Sequence, residues 1–434
     1  MKTLQQNETR VEHYLKPRMG RLREMIHERL VDPRMARGKT IGFDSMLLAM
    51  IAGIVGGRKT LRDVEQLSQR LGLGRRGGRI SDNAMTYLLC KLDDVALRPL
   101  LVGQVKDMAR RGQLKPDGFA MDWTTIDGKY EALDHHADGA AQKMEQENHA
   151  YWRLGVLRAV LVSAASRPVL GQLAIPAGAG EQTNVLAFIA LLREWYGDLT
   201  SNFTLDAGLW SRELFAKVDE QGLGIFGNIK ENKPELHGEV GRVLKIARRQ
   251  ECEAQTDWEP CKKGHMRRRL WRTFSLDGWN GWTHLRQALV VEQTTRLRDG
   301  SEEVELRYFA TNLPKNKLSA KQLLLLVRRH WAIENDCNWT FDMVMAEDAG
   351  AWCTQRKSVL ALGVIRMVAY NLMQALRKCH LRVQHVRGAD TPMPWRELQE
   401  LAHDVWKRVG RALLGPPGRV TSLCIQTATN RAEG

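Results

Sequence analysis

The chain has 434 residues, 43% of them hydrophobic and 26% charged, with a formal net charge of +15. This length and composition suit two or three globular domains with a substantial core, and exclude a collagen-like chain or a long disordered tract. The basic surplus points to a polyanionic partner, because each phosphate neutralised by Lys or Arg releases condensed counterions, although a membrane surface or RNA would satisfy the charge equally.

Seven cysteines (Cys90, Cys252, Cys261, Cys337, Cys353, Cys379 and Cys424) include no CxxC pair. Their odd number and irregular spacing argue against a disulfide framework or a structural zinc site, and for a reduced, cytosolic compartment. The polar start, MKTLQQNETRVEHYLK, does not read as a secretory signal, and the apolar run Met46–Val55 is shorter than the roughly 20 residues a bilayer span needs.

Residues 1–112 read as a helical domain with two possible roles, DNA binding or a helical cap. Met46–Val55 is a buried helix ended by Gly56 and Gly57. Thr60 caps the next helix, which stops at Gly72. Arg75–Arg79 is a basic, flexible loop, and Ser81 opens a further helix. Between 113 and 230 the texture changes to α/β. Gly118–Asp122 is a short apolar strand ending in an acid, Tyr151–Ala165 and Val169–Ile175 are further strands, Thr183–Trp195 is a helix, and Phe203–Asp206 is a strand again ending in an acid. A helix capped by Ser211 and a strand over 224–229 complete a β-β-β-α-β-α-β order with a mixed sheet. Residues 231–318 start charged and continue as short alternating segments, which read as a β-rich insertion. Residues 319–434 return to helix, with a helix carrying Glu334, a second apolar helix, a loop over 385–391, and a last helix leading to a Gly-Pro-Pro tail.

Cutting a phosphodiester without a covalent protein intermediate requires an activated oxygen nucleophile and neutralisation of charge at the phosphate, which two Mg²⁺ ions can supply. Such ions take oxygen ligands, so three carboxylates from distant parts of the chain suffice if the fold gathers them. Asp122 and Asp206 each close an apolar strand, and Glu334 lies on a helix after the insertion.

This order resembles the DDE transposases of bacterial insertion sequences, and most of all the branch that includes the H-repeat-associated proteins. Four stretches carry the resemblance, which runs over about residues 30–380: Asp32-Pro33-Arg34 with Arg37-Gly38 and Gly57; Leu170-Gly171-Gln172 with Thr183-Asn184; Thr204 to Gly208 with Lys230-Glu231-Asn232; and Arg328, His330, Trp331, Ile333, Glu334 and Asn335 with Asn338, Trp339, Asp342 and Glu347-Asp348. The last is the most specific. The resemblance implies an RNase H-like catalytic core whose metal-binding triad is Asp122, Asp206 and Glu334, holding two Mg²⁺ ions for which Mn²⁺ can substitute. It implies an enzyme that cleaves DNA at the terminal inverted repeats of a transposon and joins the ends to target DNA, acting as a homodimer on DNA in the bacterial cytosol, without a membrane partner.

The branch usually carries Asp-Gly-Lys at the end of the first strand, so Asp127, in Asp127-Gly128-Lys129, is the alternative first acid; Asp122 is preferred for the apolar strand before it. The branch's Gly-His-Gly-Arg with a following Glu is replaced by Gly264-His265-Met266-Arg267-Arg268-Arg269, read as a basic loop that can bind phosphates. His330 is expected either to contact the scissile phosphate or orient Glu334, or to be structural. Trp331 and Trp339 read as core. Lys129, Lys230, Lys233 and Arg328 are weaker phosphate-contact candidates, and His135-His136 reads as a loop near DNA. Two other functions stay open: an RNase H-fold nuclease that cuts without joining, and a non-catalytic DNA-binding protein derived from a transposase.

Overall fold

The structure, a computed structural model, describes residues 2–36, 39–133, 142–146, 149–347, 352–353, 355–381 and 392–415. Arg37-Gly38, His135-His136, Asp348, the loop at 385–391 and the Pro416-Pro417 of the Gly-Pro-Pro tail lie outside the described residues. By contact the chain separates into two units, residues 1–100 with 357–434, and residues 101–356.

The first unit is helical: α1 (Lys2–Arg29), α2 (Phe43–Val55), α3 (Leu61–Leu71), α4 (Asp82–Leu89), the start of α5 (Asp94–Arg110), α10 (Arg356–Ala375) and α11 (Trp395–Leu414). Its boundaries follow local chemistry. Thr60 forms a reciprocal capping box with Asp63, Gly72 closes α3 with a left-handed backbone (φ 62°), and the Ser81 hydroxyl accepts from the Ala84 amide to open α4. The C-terminal helix α11, which the sequence groups with the helix bearing the third acid, belongs instead with the N-terminal helices. Its buried face (Leu398, Leu401, Val405, Trp406) repeats at helical spacing and packs on α1, α2 and α3. The segment Arg356–His380 is long and apolar enough to cross a membrane by composition, but its apolar window is wholly buried in the protein.

The second unit is built on one mixed sheet, which among the described residues has eleven strands: β1 (Thr124–Leu133), β2 (Gln142–Gln146), β3 (His149–Leu161), β4 (Val169–Ala174), β5 (Asn202–Leu205), β6 (Gly224–Ile229), β7 (Ala254–Gln255), β8 (Glu259–Cys261), β9 (Gly264–Thr273), β10 (Gln287–Leu297) and β11 (Glu302–Thr311). β3 pairs antiparallel with β1 and β4, β5 lies parallel to β1, and β6 lies parallel to β5. Helix α6 (Glu181–Tyr196) connects β4 to β5 and α7 (Arg212–Glu220) connects β5 to β6. This is a mixed α/β core as expected, with one short strand, β2, added to the expected β-β-β-α-β-α-β order. The central strands β5 and β6 are short and almost wholly buried.

The insertion differs from the expectation in two ways. It opens with a helix, α8 (Pro234–Ala247), whose buried residues Leu236, Val240 and Leu244 repeat every four positions behind a proline in the first turn. Its strands also do not form a separate body: β11 pairs antiparallel with β6, so β9, β10 and β11 extend the same sheet.

The first strand is also displaced. Gly118–Met121 is not extended; Gly118 has φ 80°, and residues 118–121 form bends. The chain straightens only after Trp123, whose amide donates to the Ser163 hydroxyl (3.0 Å) and whose carbonyl accepts from the Val162 amide (2.9 Å). From there β1 runs through Asp127-Gly128-Lys129, residue types that strand propensity disfavours but which ten consecutive pairings with β3 override.

Candidate active site

The parallel register of β1 and β5 pairs Thr124 with Phe203, Thr125 with Thr204 and Ile126 with Leu205. Asp127 and Asp206 are the next residues on each strand. Here β5 ends, while β1 continues with β3 alone, so Asp127 occupies the point where β1 loses its parallel neighbour. Strand ends of this kind leave side chains uncovered at the carboxyl edge of an α/β sheet, where ligand sites form.

Asp122 is at the other end. Its carbonyl accepts from the Asn202 side-chain amide (2.9 Å) at the start of β5, and its carboxylate meets the Ser163 hydroxyl (3.4 Å). Five residues separate it from Asp127, at most about 16 Å at about 3.3 Å per residue. Burial raises its pKa, opposed by the Ser163 hydrogen bond, and neither Asp206 nor Glu334 contributes. The preference for Asp122 is therefore corrected: the geometry brings Asp127, not Asp122, to Asp206 and Glu334, because the strand begins later than its apolar residues suggest.

Glu334 follows α9 (Ala320–His330). The C-terminal end of that helix is tied to the sheet by His330, whose Nδ1 lies 2.9 Å from the Thr204 hydroxyl, which in turn lies 2.7 Å from the Thr125 hydroxyl. His330 is buried, and burial first of all pushes its pKa down to about 4, with the Lys230 and Arg307 charges in the same direction against that of Asp206. It is a neutral, buried residue that joins the end of α9 to the sheet through Thr204. One turn further, the helix widens into a π-helical stretch, Ile333–Asn338, the kind of local irregularity that recurs at functional sites. Glu334 is exposed at its start. Burial and then the charge of Asp206 raise its pKa, with Lys230 and Arg307 opposing.

Each acid has its own holder. Asp206 accepts from the Asn228 amide (3.2 Å) and pairs with Lys230 (3.1 Å). Although burial pulls its pKa up, the Ala207 amide and Lys230 together hold it below the ordinary value. Asp127 accepts from the Asn338 side-chain amide (3.4 Å). The Asn338 oxygen takes a hydrogen bond from Arg158 (3.0 Å), which can only donate, so its amide nitrogen must face Asp127. Arg158 is fully buried and grips Glu347 through both guanidinium nitrogens. This chain, Glu347–Arg158–Asn338–Asp127, was missed in the sequence, although a charged residue within an apolar strand run signals a buried partner. Glu347 and Asn338 did belong to the motif around the third acid.

Alternation along β1 explains the tripeptide. Asp127 and Lys129 share a face, where Lys129 binds both Asp342 oxygens at 2.8 Å, so Lys129 serves an internal ion pair. Gly128 points to the other face, where a Cβ would fall 2.3 Å from a Glu181 carboxylate oxygen.

The remaining candidates sit apart from the acids or are engaged. The Arg267–Arg269 run is not a loop but lies within β9. Arg267 stacks on Trp258, Arg269 pairs with Glu292, and Arg268 and Arg328 both pair with Glu259 (3.3 and 3.0 Å). Lys233 lies over the Trp210 ring, and burial lowers its pKa to about 8 against the pull of Asp206. Trp331 is half-buried beneath Arg307, and Trp339 is 48% exposed, so neither is a core residue of the kind expected. An open cavity of about 660 Å³ adjoins Asp206, bounded also by Asn228, Lys230, Arg307, Tyr308 and Trp331.

The donor set fits a hard divalent ion. Three carboxylates supply oxygen only, and burial followed by the charges of Glu334, Asp206 and Glu181 pushes the Asp127 carboxyl up to about 7, a repulsion that a bound cation would relieve. Among the described residues no group of three or more His, Cys, Asp or Glu side chains is close enough to hold a metal ion as the side chains stand, so the three carboxylates would have to move closer together to share one.

A profile of the transposase DDE domain matches residues 113–372. The structure is similar to that of a piggyBac transposase in a synaptic complex with hairpin DNA, determined by cryo-electron microscopy, with 12% identity over 95% of this chain and 83% of that one and a TM-score of 0.41. No curated protein matches the chain.

Proposed function

Because the chain belongs to the DDE transposase family, whose DNA cleavage and strand transfer depend on divalent metal, we propose that Asp127, Asp206 and Glu334 are its catalytic triad. The observation that carries this assignment is the adjacency of Asp127 and Asp206 across the β1–β5 register, together with the coupling of both to Glu334. The three carboxylates would hold two Mg²⁺ ions, with Mn²⁺ able to replace them. Ions bound there would supply charge neutralisation at the scissile phosphate and make a water or a 3′-hydroxyl a stronger nucleophile at neutral pH.

The chain's own residues divide the remaining work. Asp127 is aimed by Asn338, Asp206 by Asn228 and Lys230, and Glu334 by the His330–Thr204 bond. Lys230 and Arg307 place positive charge at the mouth of the cavity, where a phosphodiester would enter. In the first reaction water adds to phosphorus at the transposon end, the bond to the 3′ oxygen breaks, and a 3′-hydroxyl remains. In the second that hydroxyl attacks a target phosphodiester, exchanging one ester bond for another. Pairing two terminal inverted repeats calls for a homodimer on DNA. The setting would be the bacterial cytosol.

The test uses two substrates, an uncut duplex carrying the DNA that flanks the gene and the same duplex pre-cut to expose a 3′-hydroxyl. Asp206→Asn is expected to abolish cleavage and joining while DNA binding survives. Wild-type cleavage by that variant refutes the triad, and cleavage without joining of the pre-cut end reduces the protein to a nuclease.

A further inference from the structure

A second cavity, of about 360 Å³, lies between the strands of the insertion and the helix that leads to Glu334, and shares Arg307 and Trp331 with the cavity at Asp206. Three arginines from three elements line it: Arg268 on β9, Arg307 on β11 and Arg328 on α9. Strand register puts Arg268 opposite Gln293 and Arg307 opposite Val291 on β10, so all of these project from one sheet face towards Val327, Arg328 and Trp331. Asn335, the residue after Glu334, also lines it.

The charge is unbalanced. The one acid lining the cavity is Glu259, shared between Arg268 (3.3 Å) and Arg328 (3.0 Å). Arg307 is held from the outer side by Glu305 (2.8 Å) and stacks on Trp331. Burial lowers the pKa of Arg268, and after it the neighbouring charges of Arg328 and Arg307 do the same against Glu259. Gathering three guanidinium groups at a half-buried cavity costs free energy that a surface ion pair does not return, and a bound dianion or phosphodiester would offset it. The planar, forked donors of arginine match phosphate oxygens.

We propose that this cavity is a second DNA-phosphate subsite, which holds a backbone phosphate adjacent to the scissile one through Arg268, Arg307 and Arg328, with Glu259 as the internal anion it displaces. The proposal rests on the DNA-joining reading above. It predicts that the insertion acts in strand positioning, by fixing where the backbone lies relative to Glu334.

Binding of a labelled random-sequence duplex to the full chain, read in EDTA over about 50–200 mM salt, tests it without requiring catalysis. Arg268→Gln and Arg328→Gln are each expected to lower the slope of log K against log salt by about 0.9, the value for one lost phosphate contact, while Arg242→Gln on α8 leaves it unchanged. Glu259→Gln is expected to tighten binding several-fold more than Glu253→Gln, which removes the same charge from a pair outside the cavity. That variant guards against a folding defect, because a structural ion pair would lose rather than gain affinity. Unchanged slopes in both arginine variants, an equal drop in Arg242→Gln, or equal affinities for the two glutamate variants overturn the subsite. Those results leave the triad untouched, since Asp127→Asn should bind with the wild-type slope; failure of the wild-type chain to bind the duplex at all overturns both.

Discussion

Asp127 and Asp206 stand side by side on neighbouring parallel strands, each one residue beyond the Ile126–Leu205 pair. The relationship is set by backbone register, so it does not depend on rotamers. It separates two aspartates that compete for one role: Asp127 at the carboxyl edge of the sheet, and Asp122 beside Ser163 and Asn202 at the opposite end.

Asp127→Asn is expected to reduce cleavage by at least about 10³-fold, the scale on which a single electrostatic group in a preorganised site acts. Asp122→Asn keeps its size and can still bond Ser163, and should stay within a few-fold of wild type. Initial rates of strand nicking on one substrate compare them; a dead Asp122→Asn beside an active Asp127→Asn would reverse the assignment.

Two buried groups make stability depend on pH in opposite senses. Asp127 is pushed up to about 7, so between about pH 4 and 7 the folded chain keeps a proton that the unfolded chain has released, and stability falls as pH rises through that window. At about 1.4 kcal/mol per unit the loss is at most about 4 kcal/mol. His330 is lowered to about 4, so the folded chain binds fewer protons than the unfolded one between about pH 4 and 6.5, and stability is lost as pH falls through it. In EDTA, Asp127→Asn should gain on wild type in melting temperature from pH 5 to 8, and His330→Gln should lose less than wild type from pH 7 to 5. Parallel melting curves for wild type and Asp127→Asn across that range would contradict the first claim.

Divalent-ion affinity should follow the same carboxyl, because a ligand must shed its proton to bind. Affinity measured by calorimetry is expected to rise by about tenfold per pH unit below 7 and to level off above it. A flat profile between pH 5 and 7 would exclude Asp127 as a ligand.

The Arg158–Glu347 pair has no exposed surface on either side chain. Arg158→Met strands a buried carboxylate and should cost about 3–5 kcal/mol, whereas Arg158→Met with Glu347→Leu should recover much of it. The double variant should still cleave slowly, because Asn338 loses the donor that turns its amide towards Asp127. Urea unfolding gives the first comparison and cleavage rates the second; equal stability of single and double variants would deny the coupling.

Gly227 on β6 packs under Trp210, where a Cβ would come within 2.5 Å of the indole. That ring is buried and anchored by a hydrogen bond from its nitrogen to the Asn228 carbonyl, so it cannot yield cheaply. Gly227→Ala is expected to cost about 1–3 kcal/mol and, through Asn228, to disturb Asp206. A melting temperature equal to wild type would show that the sheet relaxes instead.

Much of this protein was legible in its residues. The helix capped by Thr60 and stopped by Gly72, the strand ending at Asp206 and the helix of Glu334 follow from local rules of capping, turn geometry and apolar periodicity, which act over a few residues. The helix Pro234–Ala247 was legible too, in a proline followed by Leu236, Val240 and Leu244, but its charged surroundings hid it. What the sequence could not decide was where β1 begins. Apolar character favours Gly118–Met121 as the strand and propensity disfavours Asp127-Gly128-Lys129, yet pairing with β3 and the anchoring of Trp123 at Ser163 set the start at Thr124. The same holds for the arginines of β9 and for Arg158 and His330: their residue types announce charge or chemistry, and only their partners decide its use. Local sequence determines which elements form and which acids are available; register and burial are properties of contacts between distant segments, and they alone decide that Asp127 meets Asp206 while Asp122 does not.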